Sequence, residues 1–436
     1  MAHTPRLSRR QLLQAALAAS VGAPAALRAQ PRREPVVVLT AYPDEVVSRF
    51  EAAFEKAHPG YRLQVVWRMP HEALPYLRQP GQSGVDVYWS ASPRTYAALA
   101  GDGLLRKLEL DRTDLPRRIG RAQLADEDDR YTATEMAGFG FVVNSAALAA
   151  RGLPEPADWD DLAQPQYAGL IALPAPSRVG FAPPLLEIVL QAWGWERGWA
   201  LWSAIVANAE LVGRGSTFVT DEVASGRRPI GVSIDFFSVS AIANGAPLKF
   251  IYPRHGGINP AHVAITAQAP HPAGARAFVD FVLSPAGQLL LASPDIRKLP
   301  VRPSVYRQLP AGYFDSFAAA AKGAFDFDAE AARPRLGLST AVFAQMFEAA
   351  PADVAALWTR VRQREQLGQD ATQARQALEK APLTEAEAAD PSLRRLFRER
   401  LEGSDAPALN ATESRWRINA EWQRALARTA LDRAGS

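Results

Sequence analysis

Hydrophobic residues along the chain alternate between short continuous runs and runs with helical spacing. The first pair consists of the apolar run Val36–Thr40, which is typical of a buried strand, and Val46, Val47, Phe50 and Phe54, which share one helical face. The alternation continues to about residue 300. Further strands are predicted at 62–67, 85–89, 137–143, 170–173, 209–212, 229–234, 248–252 and 262–267, and helices in the gaps include 181–193 and 272–283. This order predicts α/β domains with largely parallel sheets.

The C-terminal third has a different pattern, which is almost entirely helical. Apolar positions between Phe343 and Val361 still mark a core-facing side, so residues up to about 366 are predicted to pack on the α/β domains. The segment Gly368–Ser436 is rich in Ala, Glu, Gln and Arg, and its apolar residues are scattered. We expect a peripheral helical extension, and we expect truncation after Leu367 to leave a folded protein.

The N-terminal segment has the features of an export signal. Arg9 and Arg10 form a twin-arginine motif, and an Ala-rich apolar stretch from Leu12 to Leu27 follows it. That stretch is too short to predict a membrane span. Residues 1–29 are therefore predicted to be a twin-arginine signal peptide, with the cleavage site left open. The mature protein is expected in a bacterial periplasm, without stable insertion into a membrane.

Charge and composition exclude several classes of protein. The 436 residues carry a formal net charge of +3, but the four arginines of residues 1–29 leave 45 basic against 46 acidic residues in the remainder. The mature chain therefore has no net charge that would indicate binding to nucleic acid or to an anionic membrane. The sequence has no Cys, which excludes disulfides, thiolate metal sites and Cys nucleophiles.

Residue patterns that would indicate catalysis are incomplete. The six His show no metal-ligand spacing, and Gly231–Asp235 resembles a nucleophile elbow with Asp235 in place of its second Gly. Gly138 and Gly140 lack the third Gly of a dinucleotide-binding motif. Asp326 and Asp328 are two positions apart, so they would not share a helical face. We therefore predict that the protein is not an enzyme and has no cofactor and no metal site.

Four runs of residues together resemble a known family. They are Gly84–Ser92 with Gly101–Leu105 behind it, Gly226–Phe237, Ala269–Ala275 leading to Phe278–Ser284, and the segment from Asp326 to Trp358. In combination they are similar to type 2 periplasmic solute-binding proteins of ABC importers. The similarity is to the branch of ferric-iron, phosphonate and organophosphate binders, near the phosphoglycerate-sensing transport proteins, and it covers about residues 34 to 366.

The resemblance implies an α/β fold of two lobes, the type 2 periplasmic binding protein fold, followed by the helical extension. By analogy with the family, residues 34–136 and 255–305 form lobe one, and residues 137–254 and 306–366 form lobe two. Residues 367–436 form the extension. The ligand would lie in the cleft between the lobes, and the membrane permease of an ABC importer would be the partner.

The candidate ligand-binding residues follow strands and precede helices. Ligands of open α/β sheets bind beyond the carboxyl ends of strands, where helix N-termini present free N–H groups. This rule nominates Thr40, Ala41, Tyr42, Ser90, Ala91, Ser92, Ser177, Arg178, Arg214, Gly215, Ser216, Thr217 and Asp235.

Several of these candidates also have a purely structural interpretation. Ser92 precedes a helix and could serve only as its N-cap, and Asp235 could cap the helix that starts at Phe236. The loop Gly213–Thr217 could be an ordinary turn or a backbone cradle for an oxyanion. Both interpretations stay open from the sequence.

Together the patterns and the resemblance predict a solute-binding component of an ABC importer that captures a small organic anion, an organophosphate or a phosphonate. Iron binders of this family carry adjacent Tyr residues where this chain has Phe236 and Phe237, and Phe has no oxygen to donate to a hard cation. The alternatives are a periplasmic sensor that reports to a membrane kinase, a ferric-iron binder and an exported hydrolase.

Overall fold

The computed structural model describes residues 33–213, 217–401 and 406–433. The predicted signal peptide, residues 1–29, lies outside the described residues. The β-strands are β1 Glu34–Thr40, β2 Tyr61–Trp67, β3 Val87–Ser90, β4 Arg118–Ile119, β5 Ala122–Gln123, β6 Thr132–Val143, β7 Ile171–Pro174, β8 Ala209–Val212, β9 Ile230–Ile234, β10 Lys249–Ile251, β11 Ile258–Ile265 and β12 Leu299–Pro300.

The helices of the α/β region are α1 Asp44–Ala57, α2 Pro70–Leu77, α3 Pro93–Gly101, α4 Ser145–Ala149, α5 Pro183–Trp193, α6 Trp195–Ala207, α7 Thr217–Ala224, α8 Asp235–Ala243, α9 Pro272–Leu283 and α10 Pro285–Leu290. Those that follow are α11 Ser316–Ala321, α12 Ala329–Ala332, α13 Leu336–Phe343, α14 Pro351–Gln366, α15 Thr372–Glu379, α16 Glu385–Ala388, α17 Pro391–Leu401 and α18 Pro407–Arg433. All nine strands predicted from the hydrophobic pattern are present, so the predicted α/β alternation is confirmed.

The main sheet is continuous through both halves of the molecule. Its strand order is β2-β1-β3-β11-β6-β9-β7-β8, and β10 and β12 also pair with β6. The pairings of β1 with β2 and β3, and of β7 with β8 and β9, are parallel. Every pairing of β6 and β11 is antiparallel. The expectation of largely parallel sheets is therefore wrong for the middle of the sheet, because these strands do not arrive through helical crossovers.

Two hydrophobic cores lie on either side of this middle region. The first core packs α1 and α9 on β1, β3 and β11, with Phe50, Trp89 and Phe278 at its centre. The second core is built around α5, α6, α13 and α14 and contains Trp202 and Trp358. Strand β6 is buried along its whole length and runs from the first core into the second. The two cores correspond to the two lobes of the predicted fold.

One predicted lobe boundary needs correction. Residues 306–366 were assigned to lobe two, but Tyr313, Phe314 and Phe325 pack against the first core. The second core takes over at Phe327. The chain therefore changes lobe at about residue 326, and the other lobe boundaries stay predictions.

The C-terminal extension is part of the second core. Leu378, Phe397 and Trp416 are buried there. Two side chains of α6 donate hydrogen bonds to its backbone. Trp195 Nε1 donates to the carbonyl of Leu383 at 3.0 Å, and Ser203 Oγ donates to the carbonyl of Leu378 at 2.7 Å. The expectation that the extension is peripheral is therefore wrong, and this packing argues against the expectation that truncation leaves a folded protein. Each of its helices buries one narrow apolar face, and such faces look like scattered residues in the sequence.

Candidate functional site

A cleft of about 320 Å³ lies between the two cores, across the middle of β6. Ala91, after β3, and Lys298, before β12, line it from the first lobe, and α8 and the loop before α5 line it from the second. Its lining residues are Ala91, Glu135, Met136, Ala137, Arg178, Val179, Gly180, Phe181, Ile234, Phe236, Phe237, Asn259, Ala261 and Lys298. Most of this surface is hydrocarbon, and a few polar groups converge on it, as in many small-molecule sites.

Lys298 is the buried cation of the cleft. The residue is only 7% exposed, and its Nζ lies 3.5 Å from Glu135 Oε1. The same Nζ lies 4.7 Å from the ring centroids of both Tyr42 and Phe236. Tyr42 belongs to the first core and Phe236 packs against the second. The ammonium group therefore bridges the lobes at the floor of the cleft through two cation–π contacts.

Glu135 is held in place by hydrogen bonds from the first lobe. Its carboxylate accepts from the hydroxyl groups of Tyr42 and Thr134, and Trp89 Nε1 donates to Thr134 Oγ1 at 3.1 Å. Burial, and then the Glu135 carboxylate, raise the pKa of Tyr42 well above its ordinary value. The Tyr42 hydroxyl therefore stays protonated and remains a donor. These hydrogen bonds hold the Glu135 carboxylate in one position, and Lys298 remains facing the cleft.

Arg178 supplies a second positive charge near the mouth of the cleft. It lies in the exposed loop between β7 and α5, and it has no ion pair within the part of the chain that the structure describes. A Cβ atom at Gly213 would lie 2.9 Å from Arg178 Cδ. The absence of a side chain at Gly213 therefore makes room for the stem of this arginine.

Asp235 is completely buried at the start of α8. Its Oδ2 accepts hydrogen bonds from the Gly138 N–H at 2.7 Å and from the Tyr252 hydroxyl at 3.0 Å, while Oδ1 has no partner in the described residues. Burial raises the pKa of Asp235 to about 7, although the Gly138 N–H opposes this shift. The carboxyl group is therefore partly protonated near neutral pH, which limits the negative charge beside the cleft.

The charges of the cleft favour an anionic ligand. Lys298 and Arg178 contribute two positive charges against the single carboxylate of Glu135. The first turn of α8 also reaches the cleft through Phe236 and Phe237, so the positive end of the helix dipole points there. Such a site can hold an anion by charge-assisted hydrogen bonds.

The donor set of the cleft does not suit a metal ion. The rings of Phe236 and Phe237 lie 4.0 Å apart and form an apolar wall. Among the residues described, no group of three or more His, Cys, Asp or Glu is placed to hold a metal. The walls instead offer hydrocarbon to the body of an organic ligand.

The structure brings only some of the predicted site residues to the cleft. Ala91 and Arg178 line it, and Tyr42 reaches it through Lys298. Their neighbours Thr40, Ala41, Ser90 and Ser92 do not line it.

The polar groups of these neighbours bond within the first lobe. Thr40 Oγ1 accepts from the Tyr42 N–H at 3.1 Å, and the Ser90 N–H donates to Tyr96 Oη at 3.0 Å. Ser92 is at the N-cap position of α3, but its hydroxyl pairs with Thr95 Oγ1 at 2.8 Å and makes no capping bond. Asp235 likewise supports the backbone of β6 rather than lining the cleft.

The remaining candidates lie elsewhere or are not described. The hydroxyl and N–H of Ser177 both donate to the Glu348 carboxylate, so Ser177 does not face the cleft. Arg214, Gly215 and Ser216 lie outside the described residues. Thr217 is the first residue of α7, which follows directly from that loop.

Sequence reasoning missed Glu135, Asn259 and Lys298. Glu135 is the one carboxylate in the otherwise uncharged run Thr132–Val143, and this could have marked it as a buried functional group. Lys298 gives no comparable signal. Its burial depends on Tyr42 and Glu135, which are more than 150 positions away in the chain.

Comparisons with known proteins show the family of the chain. Residues 85–312, more than half of the chain, match the family described as bacterial extracellular solute-binding protein. The chain is similar to the phosphoglycerate transport regulatory protein PgtC of Salmonella typhimurium, with 38% identity over 171 residues, which are 39% of this chain. The match spans 43% of the length of that relative.

Two solved structures show the fold. The periplasmic binding protein AfuA from Actinobacillus pleuropneumoniae, with fructose-6-phosphate bound, has a TM-score of 0.52 at 18% identity, and the match covers 68% of this chain and 96% of AfuA. Iron-bound HitA from Pseudomonas aeruginosa has a TM-score of 0.54 at 16% identity, covering 66% of this chain and 92% of HitA. The predicted two-lobe periplasmic binding protein fold is confirmed, and the chain belongs to the family of bacterial extracellular solute-binding proteins.

Proposed function

We propose that the protein captures a small organic anion, an organophosphate or a phosphonate, in the cleft between its lobes. The observation that carries the proposal is the buried ammonium of Lys298, which contacts Tyr42 and Phe236 and whose one carboxylate partner among the described residues is Glu135, at 3.5 Å. A buried cation with a weak ion pair gains strongly from an anionic ligand.

The cleft offers complementary groups to each part of such a ligand. Phosphoryl oxygens would accept hydrogen bonds from Lys298 and Arg178, close to the N-terminus of α8. The Asn259 amide suits a hydroxyl or carboxylate on the same solute, and Phe236 and Phe237 cover its carbon skeleton.

Ferric iron fits the cleft less well, although HitA has the same fold. Iron prefers hard oxygen donors, whereas the cleft places two Phe rings at the start of α8. Glu135, its one carboxylate, is already engaged by Tyr42, Thr134 and Lys298.

A thermal-shift panel tests the proposal. The protein is heated with phosphoglycerate, an alkylphosphonate, a simple carboxylate and ferric citrate, each in separate samples. A ligand present at about 100 times its Kd stabilises the folded state by roughly 2.7 kcal/mol, so a binding phosphorylated solute raises the Tm. Stabilisation by ferric citrate alone, with a visible charge-transfer band, would contradict the proposal.

Binding of an organic anion in the cleft can serve either uptake of the solute or sensing of it. We favour the solute-binding component of an ABC importer, with a membrane permease as partner. Similarity to a transport regulatory protein supports the second candidate, a sensor that reports the solute to a membrane kinase. A deletion strain separates them, because loss of uptake indicates an importer and loss of induction with uptake retained indicates a sensor. Hydrolysis of a phosphate ester by the purified protein would contradict both.

We also propose that the protein works in the periplasm after twin-arginine export. Arg9 and Arg10 support this location. Replacing both by Lys should leave the precursor in the cytoplasm, as measured by cell fractionation. Normal periplasmic accumulation of that variant would contradict the proposed export route.

A further inference from the structure

A second cavity of about 440 Å³ lies further along α8, at the junction of the lobes. It shares no lining residue with the cleft. Helix α8 and β10 line it from the second lobe, and Arg297, Leu299 and residues 311–314 line it from the side of the first core. The lining residues that matter for binding are Ala243, Lys249, Phe250, Tyr252, Arg297 and Phe314.

The walls of this cavity are apolar and aromatic. Tyr252 stacks on Phe314 with ring centroids 3.6 Å apart, and Phe250 contacts Tyr252 edge-on at 4.9 Å. The Tyr252 hydroxyl is already bonded to Asp235, and the Tyr313 hydroxyl to the carbonyl of Lys298 at 2.7 Å. The two phenol groups therefore present mainly ring surface, which suits a flat or branched hydrocarbon body.

Arg297 gives the cavity an uncompensated positive charge. It has no ion pair in the described parts of the chain, and its guanidinium carbon lies 5.4 Å from the Tyr313 ring centroid. Its Nε is buried and has no hydrogen-bond partner there. The second cation of the cavity, Lys249, is neutralised by Glu155, with Nζ 2.5 Å from Oε2. Arg297 is therefore the group on which a bound anion would be held.

The backbone at Arg297 supports the same conclusion. Its φ of 46° lies in the left-handed region, which is unfavourable for a residue with a side chain. Such conformations persist only where the surrounding structure holds them, and they concentrate at functional sites. Here the conformation occurs between Asp295, which pairs with Arg49, and Lys298 of the cleft.

We propose that this cavity is a second binding site, for a small organic monoanion with an aromatic or branched apolar body. The carboxylate or sulfonate of the ligand pairs with Arg297, and its body packs against Phe250, Tyr252 and Phe314. The proposal does not depend on the ligand of the cleft, because the two cavities have separate linings. A cavity of this size lies within the range typical of small-molecule sites.

Calorimetric titration with 2-naphthoate and its neutral analogue 2-naphthamide tests the proposal. The full-length protein should bind the naphthoate at least about tenfold more tightly than the amide, since only the anion pairs with Arg297. The variant Arg297→Gln should lose this preference. Arg307→Gln removes an exposed arginine outside the cavity and should keep it.

Two further measurements test whether the naphthoate binds in this cavity and not in the cleft. Ala243→Trp, which fills the cavity from α8, should abolish binding of both compounds while circular dichroism shows a folded protein. Phosphoglycerate, the phosphorylated solute used as competitor, should not displace the naphthoate. Equal binding of anion and amide by the unmodified protein, no binding at all, or full competition with the phosphorylated solute would each overturn the proposal.

Discussion

At the scale of single residues, the charges buried in the cleft decide what the cleft can bind. Lys298 and Glu135 are 7% and 1% exposed. A buried ion pair is weak evidence for stability by itself, because desolvation of both groups opposes their attraction. Here the lysine is also covered by two aromatic rings, and its nearest carboxylate is shared with Tyr42 and Thr134. The pair therefore suits recognition better than it suits stabilisation.

Removing Lys298 should destabilise the protein, because it leaves the Glu135 carboxylate without its cation. In Lys298→Met, Glu135 stays buried without a cation, so we expect the free energy of unfolding to fall by about 3 kcal/mol. Adding Glu135→Gln removes the unpaired charge and should restore part of the loss. Lys322→Met, at an exposed position, serves as the control. Urea denaturation gives the free energy of unfolding of the natural protein and of the three variants. If Lys298→Met is as stable as Lys322→Met, the ion pair of Lys298 and Glu135 is not effectively buried.

The pKa of Asp235 predicts a specific dependence of stability on pH. The folded state holds its proton up to about pH 7, whereas the unfolded chain releases it near the ordinary value of 3.8. Between these values the folded state binds more protons, so this group makes stability fall as pH rises, by at most about 1.4 kcal/mol per pH unit.

Asp235→Asn should remove that contribution, because an amide does not titrate. The difference in unfolding free energy between the natural protein and the variant should change between pH 4 and pH 7 and become constant above pH 7. Denaturation at a series of pH values checks this. A difference that is constant across the whole range would mean that the carboxyl group has an ordinary pKa in the folded protein.

At the scale of elements, hydrophobic periodicity predicted most strands and helices, because the spacings of 2.0 and 3.6 are local properties of the chain. Strand β6 shows the limit. Only residues from 137 onward were predicted, but the strand begins at Thr132. Thr132, Thr134 and Glu135 look exposed in the sequence, and they are buried because β11 and Lys298 cover them. Strands β4, β5 and β12 have two residues each, too few to show a period.

The C-terminal helices offer a matched pair of substitutions. Trp416 of α18 is 7% exposed and stacks on Phe397 with centroids 4.9 Å apart, whereas Trp422 of the same helix is 59% exposed. Trp416→Ala should lower the free energy of unfolding by about 3 kcal/mol or more, and Trp422→Ala should change it by less than about 0.5 kcal/mol. Equal effects would show that the extension does not pack as described.

Truncation after Leu367 should have a larger effect. It removes several buried side chains, including Leu378 and Phe397, together with the carbonyl acceptors of Trp195 and Ser203. Because each large buried side chain contributes roughly 1.5–3 kcal/mol, the sum approaches the whole stability of a typical domain. We expect the truncated protein to aggregate or to lose cooperative thermal unfolding, and a cooperative transition would contradict this.

At the scale of the whole molecule, the position of the cleft could be predicted but its chemistry only in part. The rule that ligands bind at the carboxyl ends of strands nominates Ala91 and Arg178, and both line the cleft. Lys298 reaches the cleft from the position just before the short strand β12, and Asn259 from within β11, and the rule considers neither position. Their contribution depends on contacts between distant parts of the chain, which no local pattern records.

The two-lobe fold also leads us to expect that the molecule changes shape when it binds its ligand. A ligand that contacts Lys298 on one side of the cleft and Arg178 on the other favours an arrangement in which the lobes approach each other. Small-angle X-ray scattering should therefore show a smaller radius of gyration when the stabilising solute is added. An unchanged radius at saturating solute would mean that binding does not close the lobes.

Titration calorimetry of that solute measures directly whether the charges of the cleft capture an anion. The double variant Lys298→Met and Glu135→Gln keeps the cleft free of an unpaired buried charge, so it serves as a folded comparison for the natural protein. We predict that the natural protein binds a phosphorylated or phosphonate solute with one site per chain. The double variant should bind it at least about thirtyfold more weakly, as expected for the loss of a buried charge contact of about 2 kcal/mol. Equal affinity of the two proteins, or binding of ferric iron in place of the anion, would contradict the account.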